Sequence, residues 1–110
     1  MADPMKIRAT LVGDKVEVKI LMAHPMETGQ RKDANGQLVA AHFIQNVTAT
    51  CNGKSVLSAQ WGPAVSRNPF LSFRFKGGAK GDKLQVTWID NKSDQRTDEA
   101  LIALAGEGQR

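Results

Sequence analysis

Met22, His24 and Met26 alternate along the segment LMAHPM, and thioether and imidazole donors two residues apart in an extended segment are a donor set that suits Cu(I). Both histidines, His24 and His42, two of the four methionines and the run Arg31-Lys32-Asp33 fall between Leu21 and Ile44. A connection of that length in a small domain is normally functional or disordered, so function is sought there first. Pro25 holds its start extended. Yet Met22 also continues the apolar face of the preceding run, and a blue-copper centre needs a cysteine closely followed by another ligand, which Cys51 lacks. Core and surface roles are therefore expected for Met22, His24 and Met26, with a metal as the alternative. A structural hydrogen bond is expected for His42, just ahead of Phe43 at a strand start.

Other chemistries find less support. Nucleophilic catalysis needs a thiol or hydroxyl beside a base that a third group orients. Cys51 shares the alternating face of Val47 and Ala49 and reads as a small buried hydrophobe, far from any helix terminus that would activate it. Glu27, Asp33, Asp90, Asp94, Asp98 and Glu99 fall in turns or at solvent-facing positions of the alternation, which speaks against a carboxylate acid–base pair. The glycine-rich turn from Gly77 to Gly81 joins strand to strand and fits no phosphate loop.

The elements that must position these residues are strands. Period-two alternation runs through the chain, and no segment carries a helical stripe. Ile7, Ala9 and Leu11 form one face of a strand from Lys6 to Val12, and Gly13-Asp14 turns it into a second strand with Val16, Val18, Ile20 and Met22 inward. Asn35-Gly36 makes a tight turn inside the long loop. A strand from about Ala41 to Cys51 then turns at Asn52-Gly53 into one carrying Leu57, Ala59 and Trp61, which stops at Gly62-Pro63. Leu71, Phe73 and Phe75, then Leu84, Val86 and Trp88, mark two more strands, and a last one lies near Arg96 to Ile102. About seven short strands with a turn every ten or so residues predict an all-β, immunoglobulin-like antiparallel β-sandwich. It is expected to fill residues 1–104 as a single domain, with residues 105–110 a frayed tail.

Composition narrows the partners. At 110 residues and 41% hydrophobic content the chain can bury an apolar core without disulfides, and its single cysteine leaves the redox compartment open. The net charge is +4, but Arg8, Lys19, Lys54, Arg74 and Lys92 alternate with acidic or polar neighbours and there is no tyrosine to stack on bases. Nucleic acid is therefore not expected as a partner, while an anionic ligand or acidic protein is compatible. No apolar run approaches the roughly 18 residues of a membrane span, and the first residues lack the apolar stretch of a secretory signal, so on these features the chain is expected to stay in the cytoplasm or to leave it attached to something else.

Three segments carry a family resemblance: HPMETGQRKDANG from His24 to Gly36, GPAVSRNPFLSFRFKG from Gly62 to Gly77, and DNKSDQRTDEA from Asp90 to Ala100. In this order and with these turns they closely resemble the Z subunit of the SoxYZ sulfur-carrier complex. One departure is Ala40, where the family commonly carries a proline ahead of Ala41-His42-Phe43-Ile44; the loop exit gains freedom and the fold is expected to stand. The resemblance implies a small immunoglobulin-like, non-catalytic scaffold without a cofactor. It would pair, as a heterodimer or higher heteromer, with a Y subunit whose carboxy-terminal cysteine carries sulfur intermediates during thiosulfate oxidation. It also implies a periplasmic protein exported with that subunit, and transient contact with the sulfur-oxidising enzymes. His24, Pro25, Met26, Glu27, Arg31, Lys32, Asn68, Pro69 and Phe70 are the candidate partner-binding residues, with Arg31 and Lys32 offered as positive charge toward the sulfur-bearing arm. Which sheet face or edge meets the Y subunit is left open.

Overall fold

Val16, Val18 and Ile20 are completely buried while Lys15 before them and Lys19 between them face solvent, and this alternation repeats from strand to strand in the computed structural model, which describes residues 3–104. Eight strands result: β1 (Lys6–Val12), β2 (Lys15–Leu21), β3 (Ile44–Cys51), β4 (Lys54–Gln60), β5 (Phe70–Lys76), β6 (Lys83–Asp90), β7 (Gln95–Leu101) and β8 (Ala103–Leu104). They form two four-stranded sheets, ordered β5-β2-β1-β8 and β4-β3-β6-β7. The described residues contain no helix. The expected sandwich is thus present, with one addition: β8, two residues long, pairs parallel to β1, whereas every other neighbouring pair is antiparallel. A pair this short leaves no periodicity to read.

Between the sheets lie Val16, Val18, Ile20 and Met22 from the first and Ile44, Val47, Ala49, Leu84, Val86 and Trp88 from the second, joined by Ile102. Asn52 and Gly53 both take positive φ, +50° and +85°, the geometry of a hairpin turn whose twist matches its strands. The strand foreseen from Ala41 begins at Ile44 instead: of the residues before it, His42 pairs with Glu27 of the long loop, and Ala41 and Phe43 are bonded to Asn91 just beyond β6. The expected frayed tail, residues 105–110, lies outside the described residues.

Register also corrects the reading of the basic residues. Arg8, Lys19 and Arg74, read from the sequence as scattered among acidic or polar neighbours, share one sheet face, since Arg8 stands opposite Lys19 and Glu17 opposite Arg74.

Candidate functional site

At one end of the sandwich β2 exits, β3 and β5 begin and β6 ends, so His24, His42, Asn68 and Asp90 converge although far apart in sequence. Three backbone-directed contacts hold the convergence. The Asn68 amide donates to the His24 carbonyl at 2.9 Å, the His24 amide to Asn68 Oδ1 at 3.1 Å, and the Met22 amide to the Pro69 carbonyl at 2.9 Å. Glu27 and His42 exchange backbone bonds of 2.6 and 3.0 Å. Asn91 fastens the same strand start: its Oδ1 accepts from the Phe43 amide and its Nδ2 donates to the Ala41 carbonyl. The long loop is therefore pinned at both ends. Its middle is a small turn in which Asp33 Oδ1 accepts from the Asn35 and Gln37 amides, and Gly36 takes a φ of +78°.

Asp90 is the centre of this end. The sequence placed it among solvent-facing carboxylates; the structure buries it to 2% exposure, because it is the inward residue that closes β6. Its Oδ2 accepts from His24 Nε2 at 3.0 Å and from His42 Nε2 at 2.7 Å, and its Oδ1 accepts from the Lys92 and Asp94 amides, both at 2.9 Å. Burial works to raise its pKa, but the donors from His24, His42, Asp94 and Lys92 outweigh it and hold the carboxyl below its ordinary range.

The tautomer of His24 follows from a fourth contact. The Met26 amide, which can only donate, points at His24 Nδ1 at 3.1 Å, so the ring proton must sit on Nε2, where it reaches Asp90. Protonating Nδ1 as well would set two donors against each other. That agrees with burial, the largest influence on His24, which lowers its pKa against the raising effect of Asp90. Trp88 packs edge-on to the His24 ring, 5.1 Å between centroids at 87°, and its Nε1 has no hydrogen-bond acceptor among the described residues.

His24, His42 and Asp90 each offer a ligand atom, and these lie within 4.8 Å of one another, so their spacing could hold a metal ion. The hydrogen bonding opposes it. Metal at His24 Nε2 would displace the ring proton that the Met26 amide keeps there. The Met22, His24 and Met26 donor set of the alternative reading is not assembled: Met22 is 1% exposed in the apolar core, and Met26 Sδ accepts from the Ile44 amide at 3.4 Å. Nor does Pro25 keep the whole stretch extended, since Met26 turns to a φ of +50°.

The candidate partner residues divide by exposure. His24, Met26 and Pro69 are buried, Glu27 is half-buried, and Pro25, Arg31, Lys32, Asn68 and Phe70 face solvent. Arg31 Nε and Nη2 grip both oxygens of Glu27 at 2.8 to 3.2 Å; this bond lowers the Glu27 carboxyl and raises the guanidinium. The Arg31 charge is thus matched within its own loop. A cleft of about 370 Å³ opens beside the cluster, lined by His24, Pro25, His42, Arg67, Asn68 and Asp94 among others. Arg67 and Asn91 were given no site role from the sequence, and Asp90 was read as a turn or solvent-facing carboxylate although one signal, its place two residues beyond Trp88 on the inward face, pointed inward.

Cys51 lies at the opposite end, 8% exposed, in a cleft of about 490 Å³. Its Sγ–H points to Asp82 Oδ2 at 3.9 Å, and burial, with that carboxylate beside it, pushes the thiol pKa up.

These features define a helix-free, immunoglobulin-like sandwich whose polar centre is a knot tying loops together. Solved structures share the fold. A superoxide reductase (neelaredoxin) from Ignicoccus hospitalis is 17% identical, with 94% of this chain and 81% of that one covered and a TM-score of 0.63. One from Archaeoglobus fulgidus is 20% identical over 94% and 91% of the two chains, also at 0.63. A hypothetical protein from Pyrococcus horikoshii is 19% identical over 91% and 88%, at 0.61. Such low identities establish the fold alone. No curated protein matches. The chain belongs to the family of sulphur oxidation protein SoxZ, whose model matches residues 5–101.

Proposed function

We propose that this chain is the non-catalytic scaffold subunit of a sulfur-carrier complex and pairs with a Y subunit that supplies the sulfur-bearing cysteine. The observation that carries this reading is the state of Cys51. A covalent sulfur carrier needs a thiolate, and in this member of a sulfur-oxidation family the only thiol is buried beside a carboxylate that disfavours its ionisation. The carrying group therefore belongs to another chain. His24, Asp90 and their amide donors satisfy one another, which suits a structural knot better than a catalytic one.

In this reading the loop from His24 to Gly36 and the start of β5 form a surface that the Y subunit and the sulfur-oxidising enzymes meet. Pro25, Arg31, Lys32, Asn68 and Phe70 supply exposed contacts, and His24, Met26, Glu27 and Pro69 hold the surface in shape. The complex works in the periplasm, reached together with the Y subunit, and needs no metal or cofactor in this chain.

Native mass spectrometry of the chain mixed with the Y subunit of the same organism, with and without Cu(I), tests the reading. A stable heteromer without copper is expected. No heteromer, with one copper per chain, would replace this reading by a metal-binding sandwich.

A further inference from the structure

Strand register gathers six cations on the outer face of the first sheet: Lys6 and Arg8 of β1, Lys15 and Lys19 of β2, Arg74 and Lys76 of β5, all exposed. Glu17 is the one carboxylate in those strands, and Arg74 Nη2 holds it at 2.7 Å. The other five cations have no ion-pair partner among the described residues. Two cross-strand pairs, Arg8 with Lys19 and Lys15 with Lys76, set like charges directly opposite each other. Such pairs cost stability, and a sheet that keeps them departs from what folding alone favours, as functional surfaces do.

The second sheet shows how uneven the distribution is. Its outer face carries Thr48, Gln85, Thr87 and Thr97, and the charges there, Lys83 and Glu99, lie 3.7 Å apart. The cationic face alone thus carries an excess of five charges, more than the whole chain's +4. At its Lys6 end Leu21 and Phe70, 42% and 62% exposed, line a groove of about 290 Å³ with Lys6, Arg8 and Lys19.

We propose that this face docks a transient protein partner presenting an acidic patch with an apolar side chain at its margin. On the reading above, on which this inference rests, that partner is a sulfur-oxidising enzyme visiting the carrier complex. Permanent interfaces are depleted in lysine and more apolar than this face, whereas unpaired cations beside a small apolar groove accelerate encounter with an acidic surface and release it as salt rises. The apolar pair gives register that a purely electrostatic contact lacks.

The test uses the complex of this chain with its Y subunit as substrate for thiosulfate oxidation by the reconstituted enzymes, across ionic strength. Arg8→Glu with Lys19→Glu is compared with Lys54→Glu with Lys92→Glu, an equal charge change at exposed lysines elsewhere. Circular dichroism and native mass spectrometry verify that each variant folds and pairs. The face variant is expected to lose about tenfold or more in kcat/KM at low salt and to lose the salt dependence of the wild type, the control staying within about twofold. Equal losses in both variants, or none in the face variant, would overturn the docking surface while leaving the subunit reading intact. Failure of the wild-type chain to pair with the Y subunit would overturn both. Salt-sensitive binding of duplex DNA or phosphatidylserine vesicles through Arg8 and Lys19, with turnover unchanged, would reassign the face to a polyanion.

Discussion

His42 and Asp90, 48 residues apart in sequence, meet at 2.7 Å between Nε2 and Oδ2, and the same oxygen takes the Nε2 proton of His24 from the other side. One buried carboxylate thereby ties the start and end of the long loop to the last residue of β6. Each donor is matched to an acceptor, so the knot depends on Asp90 remaining charged and His24 remaining neutral.

Asp90→Asn tests the knot. An asparagine retains one acceptor oxygen and places an NH2 group against either two ring N–H groups or two backbone amides, so one side of the knot loses its acceptor. Removing one partner of a buried, hydrogen-bonded charge cluster costs about 3 kcal/mol. Urea unfolding should show the midpoint falling by about 2 M for a slope of about 1.5 kcal/mol/M. An unchanged midpoint would mean that the side chain contributes nothing to holding the loop.

Acid should act on the same cluster in two stages. His24 has a lowered pKa when folded, so the unfolded chain binds its proton first; the stability this contributes is complete above the unfolded value of 6.5 and is lost as pH falls toward the folded value. Asp90 is also lowered, and its contribution is present above the unfolded value of 3.8 and disappears below it. The urea midpoint should decline as pH falls below about 7, with the His24 ring of the folded protein titrating at lower pH than that of the unfolded chain. A midpoint that rises between pH 7 and 5 would contradict the assigned tautomer.

What the sequence revealed and what it hid have a common physical origin. Alternation located β1, β2, β5 and β6 and their inward residues, since one face of each turns toward the core and the period is two. Asn35-Gly36 and Asn52-Gly53 announced their turns because Gly36, Asn52 and Gly53 take a positive φ that few other residue types accept. The cluster was hidden because its one local signal, Asp90 falling in phase with the inward Leu84, Val86 and Trp88, does not tell a carboxylate that ends a strand against two imidazoles from one that ends it in water. Likewise Arg8 and Lys19 look scattered until antiparallel pairing sets them side by side. Both features are products of long-range register, which a single sequence does not print.

Gly78 marks a close approach. A Cβ there would lie 2.6 Å from Val16 Cγ2, 3.1 Å from Ile102 Cδ1 and 3.2 Å from Phe75 Cε2. Val16 is fully buried and stiff about χ1, so it has no room to withdraw. Gly78→Ala should cost about 1–3 kcal/mol by overpacking. Thermal unfolding should show the loss, with the far-ultraviolet spectrum of the folded protein unchanged; a melting temperature equal to that of the wild type would show that the turn relaxes outward.

Arg31 and Lys32 should behave differently although adjacent. Arg31 is held by both oxygens of Glu27, while Lys32 is exposed, bridges to Leu38 through its backbone, and has no ion pair among the described residues. If the loop offers positive charge to an oxyanion on the partner's arm, that charge comes from Lys32. Lys32→Ala should slow sulfur loading of the reconstituted complex severalfold, and Arg31→Ala less, with melting temperatures near that of the wild type. Equal turnover in both variants would remove the loop from the anion's path.

The proposed division of labour between this chain and a Y subunit rests most directly on Cys51. Its thiol is 8% exposed, faces Asp82 and is pushed toward the protonated form, so at neutral pH it should react with a disulfide reagent far more slowly than a free cysteine, and at the ordinary rate once urea unfolds the chain. Incubated with thiosulfate and the sulfur-oxidising enzymes, the complex should gain sulfur mass on the Y subunit and none on this chain. Cys51→Ala should leave turnover intact while lowering stability by about 1 kcal/mol for the lost buried sulfur. Sulfur found on Cys51, or turnover abolished in a Cys51→Ala variant that still folds and pairs, would make this chain a carrier in its own right, because no other group in it can form the covalent bond that a sulfur carrier requires.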